Sequence, residues 1–160
     1  MTRLVLTRDI YCPLDEVFAY HTDLERSPQH WPNVIACSRL DGGGEAGVAP
    51  GARYSWRYRM YGVEFAGTAV VREIVPGERF VFDAEGGLVG TVRCAYTALS
   101  PRRSRVDVEF EYEVPMGLVG RAVDRFLVEH RNAVDGERAM ARLAERLEAE
   151  VQARLDMQPA

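Results

Sequence analysis

Ten residues in the last quarter of the chain, Val119, Val123, Phe126, His130, Ala133, Glu137, Met140, Ala144, Leu147 and Val151, recur at alternating spacings of four and three. That spacing draws one stripe along an amphipathic helix from about Gly117 to Leu155, with arginines and carboxylates on the remaining faces. Pairs such as Arg131/Asp135 and Arg146/Glu150 stand four residues apart, where opposite charges support a helix. A helix of about 35 residues is some 50 Å long at 1.5 Å per residue, longer than a small domain is wide. The upstream chain must supply a surface that covers the stripe.

That surface is a sheet. Residues 3 to 10 read as a first strand ended by Pro13, and Asp15 and Glu16 then open a short helix, about 14 to 21, with Val17, Phe18 and Tyr20 on its apolar side. A second short helical turn closes at Ser27–Pro28, and Trp31 is extended because Pro32 follows it. Val34 to Leu40 is a short strand, and residues 41 to 47 are too glycine-rich for a regular element and read as a mobile loop. Tyr54, Trp56, Tyr58 and Met60 then alternate with Arg53, Arg57 and Arg59, which gives a strand with one aromatic and one guanidinium face. Further strands follow at Val63 to Ile74, Arg79 to Asp83 and Val89 to Leu99, separated by Pro76–Gly77 and Glu85–Gly86–Gly87 turns. In the last strand Val106, Val108, Phe110, Tyr112 and Val114 alternate with Asp107, Glu109, Glu111 and Glu113, a carboxylate face that arginines on neighbouring strands can pair. The fold class is therefore α+β: one strand, two short helices, about six hairpin-linked strands and the long helix. An antiparallel sheet of about seven strands has to curl around that helix.

Composition excludes several functions. The chain has 160 residues, the size of one domain, assigned to 1–156 with 157–160 as a tail. All 20 basic residues are arginine, so neither Schiff-base lysine chemistry nor a P-loop lysine is available. A net charge of −4 with both signs interleaved gives no basic stripe for nucleic acid. Cys12, Cys37 and Cys94 are odd in number and scattered, which fits small core residues in a reducing cytoplasm rather than a disulfide frame or a zinc site. No apolar run approaches the roughly 18 residues needed to span a bilayer. No Ser/His/Asp or Cys/His arrangement supports covalent catalysis, and neither a metal nor a cofactor is expected.

The segments Pro13–Leu14–Asp15–Glu16–Val17–Phe18, Asp23–Leu24–Glu25–Arg26 with Trp31–Pro32, Pro50–Gly51–Ala52–Arg53–Tyr54 and Val75–Pro76–Gly77–Glu78–Arg79 lead in this order into the long helix. Order and spacing resemble the START-like helix-grip superfamily (SRPBCC), in particular its bacterial polyketide cyclase/dehydrase and lipid-transport branch. The resemblance covers nearly the whole chain and implies a seven-stranded sheet gripping the C-terminal helix around a cavity for apolar or aromatic ligands. It also implies that a cyclase of this superfamily would use arginine, tyrosine and tryptophan side chains in that cavity. Here Arg53, Arg57, Arg59, Arg72 and Arg93 all alternate outward, which weakens the cyclase reading.

The candidate ligand-binding residues are Tyr54, Trp56, Tyr58, Phe65, Phe82 and Tyr96 on inward strand faces and Phe126, His130 and Glu137 on the helix stripe. The aromatics serve either as ordinary core or as cavity lining. His130 is either a core histidine bonded to a neighbour or a ligand contact, and a buried Glu137 needs a partner or a place at the cavity mouth. Gly136, which costs roughly 1 kcal/mol within a helix, marks close approach of a neighbouring element. His21 and His30 are placed on the surface. The leading function is non-catalytic binding or carriage of a small hydrophobic or aromatic molecule by a cytoplasmic monomer or homodimer. The alternatives are a polyketide cyclase, aromatase or dehydratase, and a stress or assembly factor that uses Gly42–Gly47 and Met116–Val119 as an apolar contact with protein or membrane surfaces.

Overall fold

A computed structural model of the protein describes residues 1–40, 48–113 and 125–158, with the side chains of 125 and 126 left aside. The elements run β1 (Thr2–Ile10), α1 (Leu14–His21), a 3-10 turn (Leu24–Arg26), α2 (Ser27–His30), β2 (Val34–Arg39), β3 (Arg53–Met60), β4 (Val63–Val75), β5 (Arg79–Gly86), β6 (Val89–Ser100), β7 (Arg103–Glu113) and α3 (Arg125–Met157). The seven strands form one antiparallel sheet in the order β1-β7-β6-β5-β4-β3-β2, so β1 skips across to pair with β7 and every other neighbour is a hairpin partner. The sheet curls around α3, as the alternation and the stripe predict, in the helix-grip arrangement that the resemblance implies.

Glycines and bulges produce the curl. A Cβ on Gly67 would lie 2.1 Å from the Glu85 carbonyl oxygen and 2.4 Å from the Trp56 ring, and one on Gly90 would lie 2.3 Å from the Glu111 carbonyl oxygen. The sheet therefore bends sharply where only hydrogen fits, and Trp56 lies across its cross-strand partner Gly67. Register shifts between Val34 and Ala36, Val71 and Glu73, and Ala98 and Ser100 add further bends.

The concave face and α3 bury a core around Ile10, Tyr54, Phe80, Val106, Leu143 and Leu147. The convex face carries the cross-strand ion pairs. Arg93 meets Glu109 and Glu111 at 3.5 and 3.1 Å, Arg3 meets Glu109 at 2.6 Å, and Asp9 holds Arg103 and Arg105. The carboxylates of β7 thus form a cross-strand ladder, and no cluster suited to a metal ion occurs among the described residues.

The covered face of α3 corrects the sequence reading in its first half. From Met140 onward Met140, Ala144, Leu147 and Val151 are covered as expected, but upstream the covered residues are Val128, Asp135, Gly136 and Ala139, while His130 and Glu137 are exposed. A stripe extended back from Met140 can step three residues to Glu137 or four to Gly136. The close contact decides for Gly136, where a Cβ would lie 2.9 Å from Leu6 Cδ1 and 3.2 Å from Leu4 Cδ2. α3 therefore approaches β1 through its glycine, as Gly136 suggests, and this contact turns 130 and 137 outward. Asp135 is 1% exposed and accepts a 3.0 Å bond from Arg131. No helix among the described residues is long and apolar enough to cross a membrane.

Candidate functional site

Sheet and helix do not meet everywhere. Between them lies a cavity of about 170 Å³. Its largest wall is apolar, with Leu4 and Leu6 from β1, Phe80 and Phe82 from β5, Val92 from β6 and Val108 and Phe110 from β7. Each comes from the alternating inward face of its strand, and together these four strands make one continuous half of the sheet.

The other side is different in chemistry. His21 at the end of α1, Ser27 and His30 of α2, Asn33 in the link to β2, Trp56 and Tyr58 of β3, and Asn132 of α3 line it. The Trp56 and Tyr58 rings have centroids 5.8 Å apart, and the Arg59 backbone N–H donates to the Asn33 carbonyl at 2.8 Å, which holds Asn33 beside Tyr58. Val128, one turn before Asn132, packs with Tyr58 and Met60. Five of these lining residues carry a buried polar atom with no partner among the described residues: His30 Nδ1, Asn33 Oδ1, Trp56 Nε1, Tyr58 OH and Asn132 Nδ2. Buried polar groups are normally hydrogen-bonded to protein or to water, and five without a protein partner among the described residues around one space leave that space able to bond a polar group that enters it.

Every ionisable group among the described lining residues is held neutral. Burial lowers His30 to about 3, with the nearby His21 adding to the effect, and lowers His21 to about 4. The two imidazoles have centroids 5.9 Å apart, and His21 Nδ1 lies 2.6 Å from the Tyr96 hydroxyl. Burial pushes the Tyr58 phenol and the Cys37 and Cys94 thiols up to about 12. No aspartate, glutamate or arginine is among the described lining residues.

Of the nine candidates read from the sequence, Trp56, Tyr58 and Phe82 line the cavity. Tyr54 is 1% exposed in solid core. Tyr96 packs edge-on against Phe18 of α1 at 5.0 Å, behind the wall. Phe65 stacks on Tyr58 at 5.2 Å and is not among the lining residues. His130 and Glu137 are on the exposed side of α3, and the Phe126 side chain lies outside the described residues, as do Gly42–Gly47 and Met116–Val119. His21 and His30 are corrected from surface to cavity wall, with His30 only 3% exposed. α2 packs on β2 and α3, so its last residue faces inward. Asn33 and Asn132 were missed because a single amide in a turn or on a helix carries no periodic signal. The one available cue was Trp31–Pro32, which fixes the turn that sets both His30 and Asn33.

Residues 1–148 match the family described as polyketide cyclase / dehydrase and lipid transport. The chain belongs to this family. Among solved structures, a protein of Thermus thermophilus is similar at 20% identity and a TM-score of 0.76, over 93% of this chain and 99% of that one. The Zhui aromatase/cyclase of Streptomyces sp. R1128 is similar at 12% identity and a TM-score of 0.76, over 96% and 97% of the two chains. A START superfamily protein of Mycobacterium smegmatis has 15% identity and a TM-score of 0.66, over 94% and 97%. At these identities the likeness is one of fold. No curated protein matches the chain. The polyketide cyclase / dehydrase and lipid transport family thus includes a chain whose arginines on β3, β4 and β6 all face outward, and whose cavity is neutral among the described residues.

Proposed function

We propose that residues 1–156 act as one ligand-binding domain that takes up a small hydrophobic or aromatic molecule between the curved sheet and α3. One observation carries this reading: an apolar cavity of about 170 Å³ in which five lining residues hold polar atoms without a partner among the described residues. A solid core would have closed that space or paired those atoms. Trp56 and Phe82 would contact the ligand's ring, and Tyr58, Asn33, His30 and Asn132 would meet its polar group. The family description, with lipid transport in it, supports the same reading.

Thermal melts and native mass spectrometry in the presence of benzene, toluene and 4-methylphenol test it. One-to-one uptake with a rise in Tm that grows with ligand concentration is expected. No uptake of any of the three would overturn the proposal.

A second reading, cyclisation or dehydration of a bound polyketide, is favoured by the similarity to an aromatase/cyclase and by the neutral imidazole of His21 at the wall, whose 2.6 Å contact with the Tyr96 hydroxyl behind it suits proton transfer. Product analysis after incubation with a poly-β-keto chain would reveal an aromatic ring if that reading holds. An unchanged product spectrum would remove it.

A further inference from the structure

The cavity differs from side to side, and the difference follows the topology. β1, β7, β6 and β5 supply an unbroken apolar wall, while the polar lining comes from the α1–α2 segment, the link into β2, β3 and α3. Two of the unpartnered groups belong to residues more than nine-tenths buried, His30 at 3% and Tyr58 at 6% exposure. The polar groups include an acceptor in Asn33 Oδ1, donors in Trp56 Nε1 and Asn132 Nδ2, and a phenol and an imidazole that can play either part. None of them is charged, and no charged side chain is among the described lining residues.

The structure assigns this site to uncharged ligands of one substituted ring that carry a hydrogen-bonding group at one edge, such as phenols, enones and carboxamides, and excludes carboxylates of the same shape. This rests on the binding function proposed above and specifies its ligand. Size follows from volume: an apolar cavity of about 150 Å³ holds a benzene ring, so about 170 Å³ takes a ring with a substituent. Charge exclusion follows from desolvation. A carboxylate here would leave water for a site with no cation among the described lining residues to pair it, and burial disfavours protonation of both histidines. Orientation follows from the asymmetry, with the ring against Phe82, Val92 and Phe110 and its polar edge towards Tyr58, Asn33 and Asn132.

Four probes separate the parts of this inference: toluene, 4-methylphenol, 4-methylbenzamide and 4-methylbenzoate at pH 7.5. Binding is read from tryptophan emission, since both tryptophans of the chain, Trp31 and Trp56, line the cavity. The phenol and the amide are expected to bind at least tenfold more tightly than toluene, and the benzoate at least a hundredfold more weakly than its neutral amide. In the Tyr58→Phe/Asn132→Leu variant the phenol should fall to the affinity of toluene, while toluene binding itself shows that the variant is folded. If none of the four binds to the wild type, the binding function itself is wrong. If toluene binds as tightly as the phenol, or the benzoate as tightly as the amide, the protein binds apolar rings but the assignment to neutral, polar-edged ligands is overturned.

Discussion

At the two histidines of the cavity wall, burial opposes charge, and this makes stability depend on pH. The unfolded chain protonates each imidazole near 6.5, whereas the folded protein does so only near 4 at His21 and near 3 at His30. Between those values the unfolded state binds more protons than the folded state, so stability is full above pH 6.5 and falls as the pH drops towards the folded values. The loss is at most about 1.4 kcal/mol per pH unit for each histidine. Urea denaturation at pH 7.5, 6 and 5 should show this decline, and His30→Leu should flatten it. An equal slope in that variant would show that His30 is solvated in the folded protein. These histidines were not legible in the sequence, because whether an imidazole at a helix end faces water depends on what the helix packs against. His21 ends α1 and His30 ends α2, and only the seating of α2 on β2 and α3 turns His30 inward. The aromatic face of β3 was legible, since alternation alone puts Trp56 and Tyr58 on the side opposite Arg57. That Tyr54, on the same face, is core rather than lining was not, because alternation fixes a side and says nothing of position along the strand.

Two glycines set the shape of the elements around the cavity. Gly67 lies under the Trp56 ring at the bend of β4, and its nearest obstacle to a side chain is backbone, the Glu85 carbonyl oxygen at 2.1 Å. Gly67→Ala should therefore cost about 2 kcal/mol or more and displace Trp56, visible as a lower Tm and a shifted tryptophan emission. A variant as stable as the wild type would mean that the bend is not held there. Gly136 differs, because the obstacles are the ends of the Leu4 and Leu6 side chains, which can move. Gly136→Ala gains roughly 1 kcal/mol of helix propensity and loses a similar amount to crowding, so its Tm should stay close to that of the wild type. Gly136→Ile should lose about 1–3 kcal/mol by overpacking in the same melts, and a stable Ile variant would show that α3 stands farther from β1. The strands and the C-terminal half of α3 were legible because period-two and period-3.6 patterns reflect burial directly. In the first half of the helix the close approach needs glycine, and the cavity wall there is an asparagine. Neither extends an apolar stripe, which is why the pattern drifted to His130 and Glu137.

On the scale of the whole molecule, a sheet bent by glycines wraps a helix that touches it closely at Gly136 and along Met140 to Leu147, and leaves a space next to Asn132. The strand order divides the lining of that space into an apolar wall and a neutral polar side. In the proposed function the polar side serves a ligand rather than the fold. The Tyr58 hydroxyl decides it most directly, being buried and without a partner among the described residues. The measurement is equilibrium denaturation of ligand-free wild type and Tyr58→Phe, followed by titration of both with 4-methylphenol. Removal of an orphaned hydroxyl should leave ligand-free stability unchanged or raise it by up to about 1 kcal/mol, while affinity for the phenol falls about tenfold, the scale of one hydrogen bond. A Tyr58→Phe protein that is about 1 kcal/mol less stable yet binds 4-methylphenol as tightly as the wild type would contradict the account.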